Sequence, residues 1–210
     1  MSAEVFEKIR QLASKNFKHS HHSISHTERV YNLAVRIGTF EKADLEIIKA
    51  SALLHDVARA LEDEGKIADH ALEGAKIARG ILKKSGFPEN KIEAVVKCIE
   101  THRFRNQMEA ETLEARILQD SDRLDILGAI GIARVFSRGG WANLPIYDPE
   151  IPPKNRYDGK SETSINHIFE KVLKAKSGFH TRIARQLAEE RHKFTEDFVE
   201  RFMKEWVGEM

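Results

Sequence analysis

Apolar residues recur at helical spacing along almost the whole sequence. Between Ala43 and Leu61, and again between Ala71 and Leu82, they stand three or four residues apart. That period is typical of an α-helix with one face in a core, whereas a half-buried strand alternates apolar and polar residues. We find no convincing alternation, so the sequence predicts an all-α protein. Predicted helices begin at or near His26, Ala43, Ala71, Pro88, Thr112, Ile130, Thr163 and Thr181.

Length and composition fit one helical domain. The chain has 210 residues, of which 41% are hydrophobic and 32% are charged. A chain of this length can bury a hydrophobic core that is stable without covalent cross-links. Its formal net charge of +1 argues against a protein that coats nucleic acid or an acidic membrane. Cys98 is the single cysteine, so no internal disulfide forms and we expect a reducing, cytoplasmic location. We also expect no secretory signal and no membrane span, since no long apolar run occurs.

One stretch interrupts the helical pattern. Four of the five prolines lie within nine residues, from Pro145 to Pro153, and glycines flank them. Because proline ends helices, we predict a long irregular loop over residues 138–161. Trp141 and Tyr147 in it favour an ordered loop beside a site, with a plain surface excursion as the alternative. The predicted domain then has a core over about residues 20–137, this loop, and C-terminal helices over residues 162–207.

Histidine and aspartate occur on the apolar faces of several predicted helices. His26 and His102 follow the apolar period of their helices, and Asp122 has apolar neighbours. His55 and Asp56 lie in the middle of the most apolar helix. A buried carboxylate is costly unless it is paired or binds a metal. Although a single inward histidine is more often an ordinary core residue, the joint pattern predicts a metal site inside a helical bundle.

The residue types indicate which ion such a site would hold. Imidazole and carboxylate ligands without a set of thiolates suit a divalent Mn, Co, Fe, Ni, Zn or Mg ion. The side chains of adjacent residues on a helix point about 100° apart around the helix axis. His55 and Asp56 can therefore bind the same ion only if it lies at the edge of the helix face that they share. One ion and two ions both stay open.

The strings around these residues resemble the HD-domain superfamily of metal-dependent phosphohydrolases. They are SHTERV around His26, ALLHDVAR around His55 and Asp56, and LQDSDRLDILGAIGIARVF around Asp122. The resemblance covers the whole chain, including ADHALEGAKIARGIL and CIETHRFR, and is strongest to stand-alone hydrolases that include nucleotide pyrophosphohydrolases. It implies one HD-type helical bundle over residues 1–210, with a long Pro/Gly-rich loop. The metal ligands that it implies are His26, His55, Asp56 and Asp122.

The resemblance also implies roles for two further histidines. His70 and His102 match positions that hold a second ion or face the substrate in this family. We predict Asp56 and His102 as catalytic residues and His70 as a substrate contact. The sequence departs from the family at Ser23, where an acidic residue is frequent, while the preceding histidine stays a candidate contact.

A phosphorylated substrate needs positive charge around it. A bound ion would activate a water molecule and polarise a phosphoryl oxygen. Arg59 lies three residues after Asp56, and Lys160 and Lys171 belong to the segment that ends and follows the loop. We predict these three residues as substrate contacts, with a solvated surface charge as the alternative for each.

The function that this reading favours is hydrolysis of nucleoside or deoxynucleoside triphosphates to monophosphate and pyrophosphate. The substrate follows from the resemblance alone, and a nucleotide monophosphatase or phosphodiesterase is the alternative in the same class. A di-iron oxygenase of HD type and a non-catalytic binding module are the rivals from other classes.

The expected partner is a small phosphorylated molecule, with no membrane and no stable nucleic-acid partner. A stripe of aromatic residues at every fourth position indicates core packing or a contact between two copies, so a homodimer stays open. These residues are Phe194, Phe198, Phe202 and Trp206.

Overall fold

A computed structural model describes residues 2–16, 24–103 and 108–210 of the chain. No residue in these ranges forms a β-strand, which confirms the all-α prediction. None of the helices described is long and apolar enough to cross a membrane. The helices are α1 (Ala3–Ser14), α2 (Ile24–Glu41), α3 (Leu45–Leu54), α4 (Arg59–Asp63), α5 (His70–Ser85), α6 (Glu89–Thr101), α7 (Leu113–Leu124), α8 (Gly128–Trp141), α9 (Ser164–His167) and α10 (Arg182–Trp206).

The chain divides into two compact units, Met1–Asp122 and Arg123–Met210. The first unit has its own core of apolar side chains from α1, α3, α5 and α6. Helix α1 contributes Ile9 and Ala13 to that core, although the sequence pattern did not single this helix out. The single domain over residues 1–210 stays a prediction.

The start of α3 is fixed by polar contacts. Asp44 caps the helix by accepting hydrogen bonds from the backbone N–H groups of Glu46 and Ile47, at 2.9 and 3.4 Å. Lys91 of α6 donates to the carboxylates of Asp44 and Glu46, at 2.6 and 2.8 Å. The backbone N–H of Asp44 donates to Glu114 of α7 at 2.9 Å. These bonds tie α3 to α6 and α7, so the residues that follow α3 have a defined position.

The helix predicted over residues 43–61 is interrupted in the structure. Helix α3 ends at Leu54, residues 55–58 form a turn, and α4 begins at Arg59. Val57 N–H donates to Leu54 O at 3.1 Å and Arg59 N–H to Asp56 O at 2.9 Å, both across three residues. The prediction of a continuous helix through His55 and Asp56 is therefore wrong. The apolar period could not reveal the break, because residues 55–58 are buried in a turn as they would be in a buried helix.

The second unit contains the proline-rich segment. Helix α8 continues to Trp141, so the irregular loop spans residues 142–163 and the predicted start at residue 138 is wrong. Gly139 explains the close approach of the two loop ends, because a Cβ atom there would collide with Ser164 Oγ. The N–H groups of Ser164 and Ile165 donate to the carbonyls of Pro145 and Ile146, each at 3.0 Å. The loop is thus anchored by backbone hydrogen bonds.

The segment after the loop is helical but irregular. Helix α9 passes into a π-helical turn, Ile168–Val172, and then a 3₁₀ turn, Leu173–Lys176. Glu170, buried in the π turn, accepts from the Lys154 backbone N–H at 2.8 Å and the Ser161 hydroxyl at 2.6 Å. The helix predicted over residues 163–174 is therefore confirmed as helical but is not a uniform α-helix.

Candidate metal centre

The described part of the first unit brings four imidazoles and two carboxylates together. All except Asp122 are at most 6% exposed, and the Asp122 side chain is 35% exposed. Each comes from a different part of the fold, apart from the pair in the turn after α3. The residues are His26 in α2, His55 and Asp56 in the turn, His70 at the start of α5, His102 just after α6, and Asp122 in α7.

Three of the four predicted metal ligands, His26, His55 and Asp56, form a group whose donor atoms lie within 4.8 Å of one another, and Asp122 contacts His26. His26 Nε2 is 3.3 Å from Asp122 Oδ1 and 3.3 Å from His55 Nε2. Asp56 Oδ2 is 3.6 Å from each of these two Nε2 atoms. Donors held about 2.1 Å from a divalent cation stand about 3.0–3.5 Å apart in tetrahedral or octahedral coordination. The donor spacing therefore fits one divalent cation.

A second group shares Asp56 with the first. Its other oxygen, Oδ1, lies 3.2 Å from His70 Nε2 and 3.8 Å from His102 Nε2. The donor atoms of Asp56, His70 and His102 all fall within 4.8 Å of one another. Asp56 therefore faces two donor groups, one with each carboxylate oxygen.

The far ring nitrogen of three histidines is held by an acceptor. His55 Nδ1 donates to Ala52 O at 2.8 Å and His102 Nδ1 to Ile99 O at 2.7 Å. These carbonyls belong to the last turns of α3 and α6, where helical carbonyls lack partners within the helix. His70 Nδ1 lies 2.7 Å from Glu62 Oε2. Because these oxygens accept a hydrogen bond from Nδ1–H, Nε2 of each ring is directed at the centre and is the nitrogen that would bind a metal ion.

The pKa values in the centre follow burial and neighbouring charge. Burial, followed by the nearby His55, lowers the pKa of His102 to about 4, so its imidazole is neutral at pH 7. Burial alone would raise the pKa of Asp122, but the hydrogen bond with His26 together with the charges of His26 and His55 outweighs burial and holds that pKa below its usual range. Burial disfavours the charged form of His70, but Asp56 and Glu62 outweigh it and raise the pKa.

The predicted substrate contacts lie in both units. Arg59 follows the turn, and its Nε donates to Asp63 Oδ1 at 3.0 Å, while the charge of Asp56 helps to raise its pKa against the effect of burial. Lys160 is exposed in the loop of the second unit. Lys171 is exposed in the π turn, with Nζ 5.4 Å from the centre of the Tyr157 ring. Their contact with substrate stays a prediction, and the candidate residues 22 and 23 lie outside the described residues.

The sequence reasoning missed Glu62. The Glu62 carboxylate accepts a hydrogen bond from His70 Nδ1–H. It also accepts hydrogen bonds from both terminal nitrogens of Arg103, at 3.0 and 2.9 Å. No local pattern separates Glu62 from Asp63 and Glu64, because its position relative to Asp56 depends on the turn at residues 55–58.

Comparisons with known proteins agree with this geometry. The HD domain family model matches residues 23–127. The uncharacterized protein YpgQ of Bacillus subtilis is 33% identical over 194 residues, which cover 90% of this chain and 86% of YpgQ. A crystal structure of YpgQ in complex with ADP has a TM-score of 0.76 at 29% identity, covering 97% and 98% of the two chains.

Two further solved structures extend the likeness over nearly the full length. A protein of Lactobacillus plantarum has a TM-score of 0.78 at 30% identity, covering 99% of each chain. An HD-superfamily hydrolase of Bacillus thuringiensis has a TM-score of 0.75 at 35% identity, covering 97% of this chain and 95% of its own. With its clustered histidines and aspartates, this chain belongs to the HD-domain family and is a metal-dependent phosphohydrolase.

Proposed function

We propose that this phosphohydrolase cleaves nucleoside or deoxynucleoside triphosphates to a monophosphate and pyrophosphate. The observation that carries the hydrolytic part is the cluster of His26, His55 and Asp56, whose donor atoms lie 3.3–3.6 Å apart, with Asp122 Oδ1 3.3 Å from His26 Nε2. The nucleotide part is supported by the ADP complex of the related YpgQ. The triphosphate itself follows from the resemblance to nucleotide pyrophosphohydrolases.

The four residues would hold one divalent cation through two imidazole nitrogens and two carboxylates. When bound, such an ion lowers the pKa of a coordinated water and polarises a phosphoryl oxygen. His102 keeps its proton on Nδ1, so in a centre with one ion its Nε2 would accept a hydrogen bond from the attacking water and orient it. Arg59, Lys160 and Lys171 would neutralise phosphate charge, as phosphoryl transfer requires.

The second donor group supports a second ion that shares Asp56. His70 and His102 would hold it through Nε2, since both rings donate from Nδ1 to other acceptors. Titration with Mn²⁺ followed by electron paramagnetic resonance counts the ions: we expect two, and saturation at one would limit the centre to the first group.

A product assay tests the activity. Purified protein with Mn²⁺ or Co²⁺ is given nucleoside and deoxynucleoside triphosphates, monophosphates and cyclic nucleotides, and phosphate and pyrophosphate are measured separately. We expect pyrophosphate from triphosphates and its loss with chelator. Phosphate from monophosphates, or cleavage of cyclic nucleotides, would replace the proposal by the monophosphatase or phosphodiesterase alternative.

Two donor groups that share Asp56 could also hold two iron ions. This arrangement is the observation that favours the di-iron oxygenase as the second candidate function. Oxygen consumption by iron-loaded protein without any nucleotide hydrolysis would favour it. The homodimer and the absence of a stable nucleic-acid partner stay predictions, and size-exclusion chromatography with light scattering tests the first.

A further inference from the structure

Glu62 connects three elements of the first unit. Its Oε2 accepts from His70 Nδ1 at 2.7 Å and from the His70 backbone N–H at 2.8 Å. Arg103 approaches the same carboxylate with both terminal nitrogens, Nη1 to Oε2 at 3.0 Å and Nη2 to Oε1 at 2.9 Å. The carboxylate of Glu62 therefore receives four hydrogen bonds from two residues.

This arrangement is more constrained than an ordinary surface ion pair. The side chains of Glu62 and Arg103 are 18% and 17% exposed, and the bidentate geometry fixes the plane of the carboxylate. Arg103 Nη1 also lies 3.6 Å from Asp69 Oδ2. Asp69 caps α5 by accepting from the N–H groups of Ala71 and Leu72, at 2.8 and 3.2 Å. Arg103 thus joins α4 to the first turn of α5, where His70 lies.

The hydrogen bond with Glu62 sets the orientation of the His70 ring. A carboxylate accepts and does not donate, so Glu62 keeps a proton on Nδ1 of His70. The opposite nitrogen, Nε2, then points at Asp56 Oδ1, 3.2 Å away. Among the described residues, the oxygens that contact Arg103 belong to Glu62 and Asp69, so these two carboxylates engage its guanidinium.

We propose that Glu62 and Arg103 are positioning residues, which hold His70 with Nε2 directed at Asp56, and that Arg103 does not bind substrate. The part that concerns ion binding rests on the proposed function. The orientation of His70 does not, because it is a property of the protein without metal.

The test compares Glu62→Gln, Arg103→Gln and the conservative Arg103→Lys with the wild type. Glu73→Gln is the matched control, because Glu73 lies on the first turn of α5 and pairs only at the surface with Lys76, at 2.9 Å. Circular dichroism and thermal unfolding establish that each variant folds. If Glu62→Gln does not fold, Arg103→Lys carries the test, since it keeps the positive charge and loses the bidentate geometry.

The first measurement uses metal-free protein at one fixed pH. Long-range ¹H–¹⁵N spectra of the histidine rings report which nitrogen of His70 carries the proton. We expect a hydrogen-bonded Nδ1 proton in the wild type and the Glu73→Gln control, a clearly weakened hydrogen bond in Glu62→Gln, where one neutral amide oxygen replaces the carboxylate that accepts four bonds, its loss in Arg103→Gln, and partial retention in Arg103→Lys. An unchanged His70 signal in Glu62→Gln would overturn the proposal, whatever the protein hydrolyses.

The second measurement uses Mn²⁺ alone and then steady-state kinetics. We expect weaker Mn²⁺ binding at the second group by roughly 10- to 100-fold in Glu62→Gln, the usual effect of removing a partner of a metal-bound histidine. The value of kcat should fall while KM stays within about twofold, because the proposal removes orientation and not substrate binding. A many-fold rise in KM for Arg103→Lys, with kcat and His70 unchanged, would make Arg103 a substrate contact and overturn the proposal. Failure of the wild type to hydrolyse nucleotides would refute the proposed function and leave the spectroscopic result intact.

Discussion

Asp56 contacts all four histidines of the candidate centre. Its Oδ2 faces His26 and His55 at 3.6 Å, and its Oδ1 faces His70 and His102 at 3.2 and 3.8 Å. A carboxylate that is 6% exposed would destabilise the fold strongly without such partners. Its surroundings therefore compensate its burial and also direct both oxygens at donor groups.

Replacing Asp56 by alanine should remove metal and activity together. Both donor groups lose their shared ligand, so we expect Asp56→Ala to bind no stoichiometric Mn²⁺ and to lose at least about 1000-fold in kcat/KM, or about 4 kcal/mol of transition-state stabilisation. Metal analysis, kinetics and far-ultraviolet circular dichroism measure the three effects. Asp197→Ala, which removes an exposed carboxylate of α10, is the control with unchanged metal. Full metal content in folded Asp56→Ala would refute the assignment.

The sequence predicted the candidate metal ligands better than it predicted the hydrogen bonds that orient the histidine rings. His26, His55, Asp56 and Asp122 were assigned from flanking strings, and the structure places them together. The acceptors that hold the Nδ1 atoms of His55, His102 and His70 were not predictable, because two are backbone carbonyls at helix ends and the third is Glu62. Such contacts depend on where each helix ends. The spacing of apolar residues does not reveal a helix end inside a buried segment, because the residues there are buried whether the helix continues or ends.

At the scale of elements, the break between α3 and α4 shapes the centre. On a continuous helix, His55 and Asp56 would diverge by about 100°. In the turn at residues 55–58, His55 Nδ1 instead donates to Ala52 O, while His55 Nε2 and Asp56 Oδ2 stand 3.6 Å apart. The sequence predicted the start of α5 near Ala71, and the end of this helix carries strong local signals in Gly86, with φ of 76°, and the following Pro88. The turn had no such signal.

Gly74 of α5 packs directly on this turn, which gives a graded test. A Cβ atom there would lie 3.5 Å from His55 O and 3.7 Å from Ala58 Cβ, ordinary contact distances. We expect Gly74→Ala to raise the free energy of unfolding by about 0.5–1 kcal/mol with unchanged Mn²⁺ affinity, through better helix propensity. Gly74→Leu should displace the turn, cost about 1–3 kcal/mol and weaken Mn²⁺ binding.

Gly80 supplies the matched control on the same helix. A Cβ atom there meets nothing within 4 Å, so Gly80→Leu should fold and bind Mn²⁺ like the wild type. Urea unfolding and isothermal titration with Mn²⁺ measure both pairs. Equal Mn²⁺ affinities for Gly74→Leu and Gly80→Leu would show that the packing of α5 on the turn does not position the centre.

At the scale of the whole molecule, His167 of the second unit makes stability depend on pH. Burial, then Lys171 and Arg138, lower the pKa of His167 to about 4, against an ordinary value of 6.5. The unfolded chain binds this proton near pH 6.5 and the folded chain only near pH 4. Protons therefore favour the unfolded state between these values, and stability falls as pH falls through that window.

The His167→Gln variant measures this contribution. We expect the free energy of unfolding of the wild type to decrease between pH 7 and pH 4.5 by up to about 2–3 kcal/mol from this residue, and the variant to lack that share. Urea unfolding at several pH values gives the slope, with His180→Gln, at an exposed position, as the control. Parallel slopes for the wild type and His167→Gln would contradict the assigned role.

Substitution of the predicted substrate contacts in the second unit should affect substrate binding without affecting ion binding. Lys160 and Lys171 are exposed, whereas Lys154 donates to Asp158 at 3.0 Å and to the Lys160 carbonyl at 3.1 Å. A charged hydrogen bond to phosphate contributes about 1.5–3 kcal/mol, so we expect Lys160→Ala and Lys171→Ala each to raise KM for a triphosphate by about 10- to 100-fold. Mn²⁺ affinity should not change, because every residue of the two donor groups lies in the first unit. Lys193→Ala, which removes an exposed lysine of α10, is the control with unchanged KM. Wild-type KM values for both Lys160→Ala and Lys171→Ala would reduce these lysines to solvated surface charges and leave Arg59 as the predicted cationic contact.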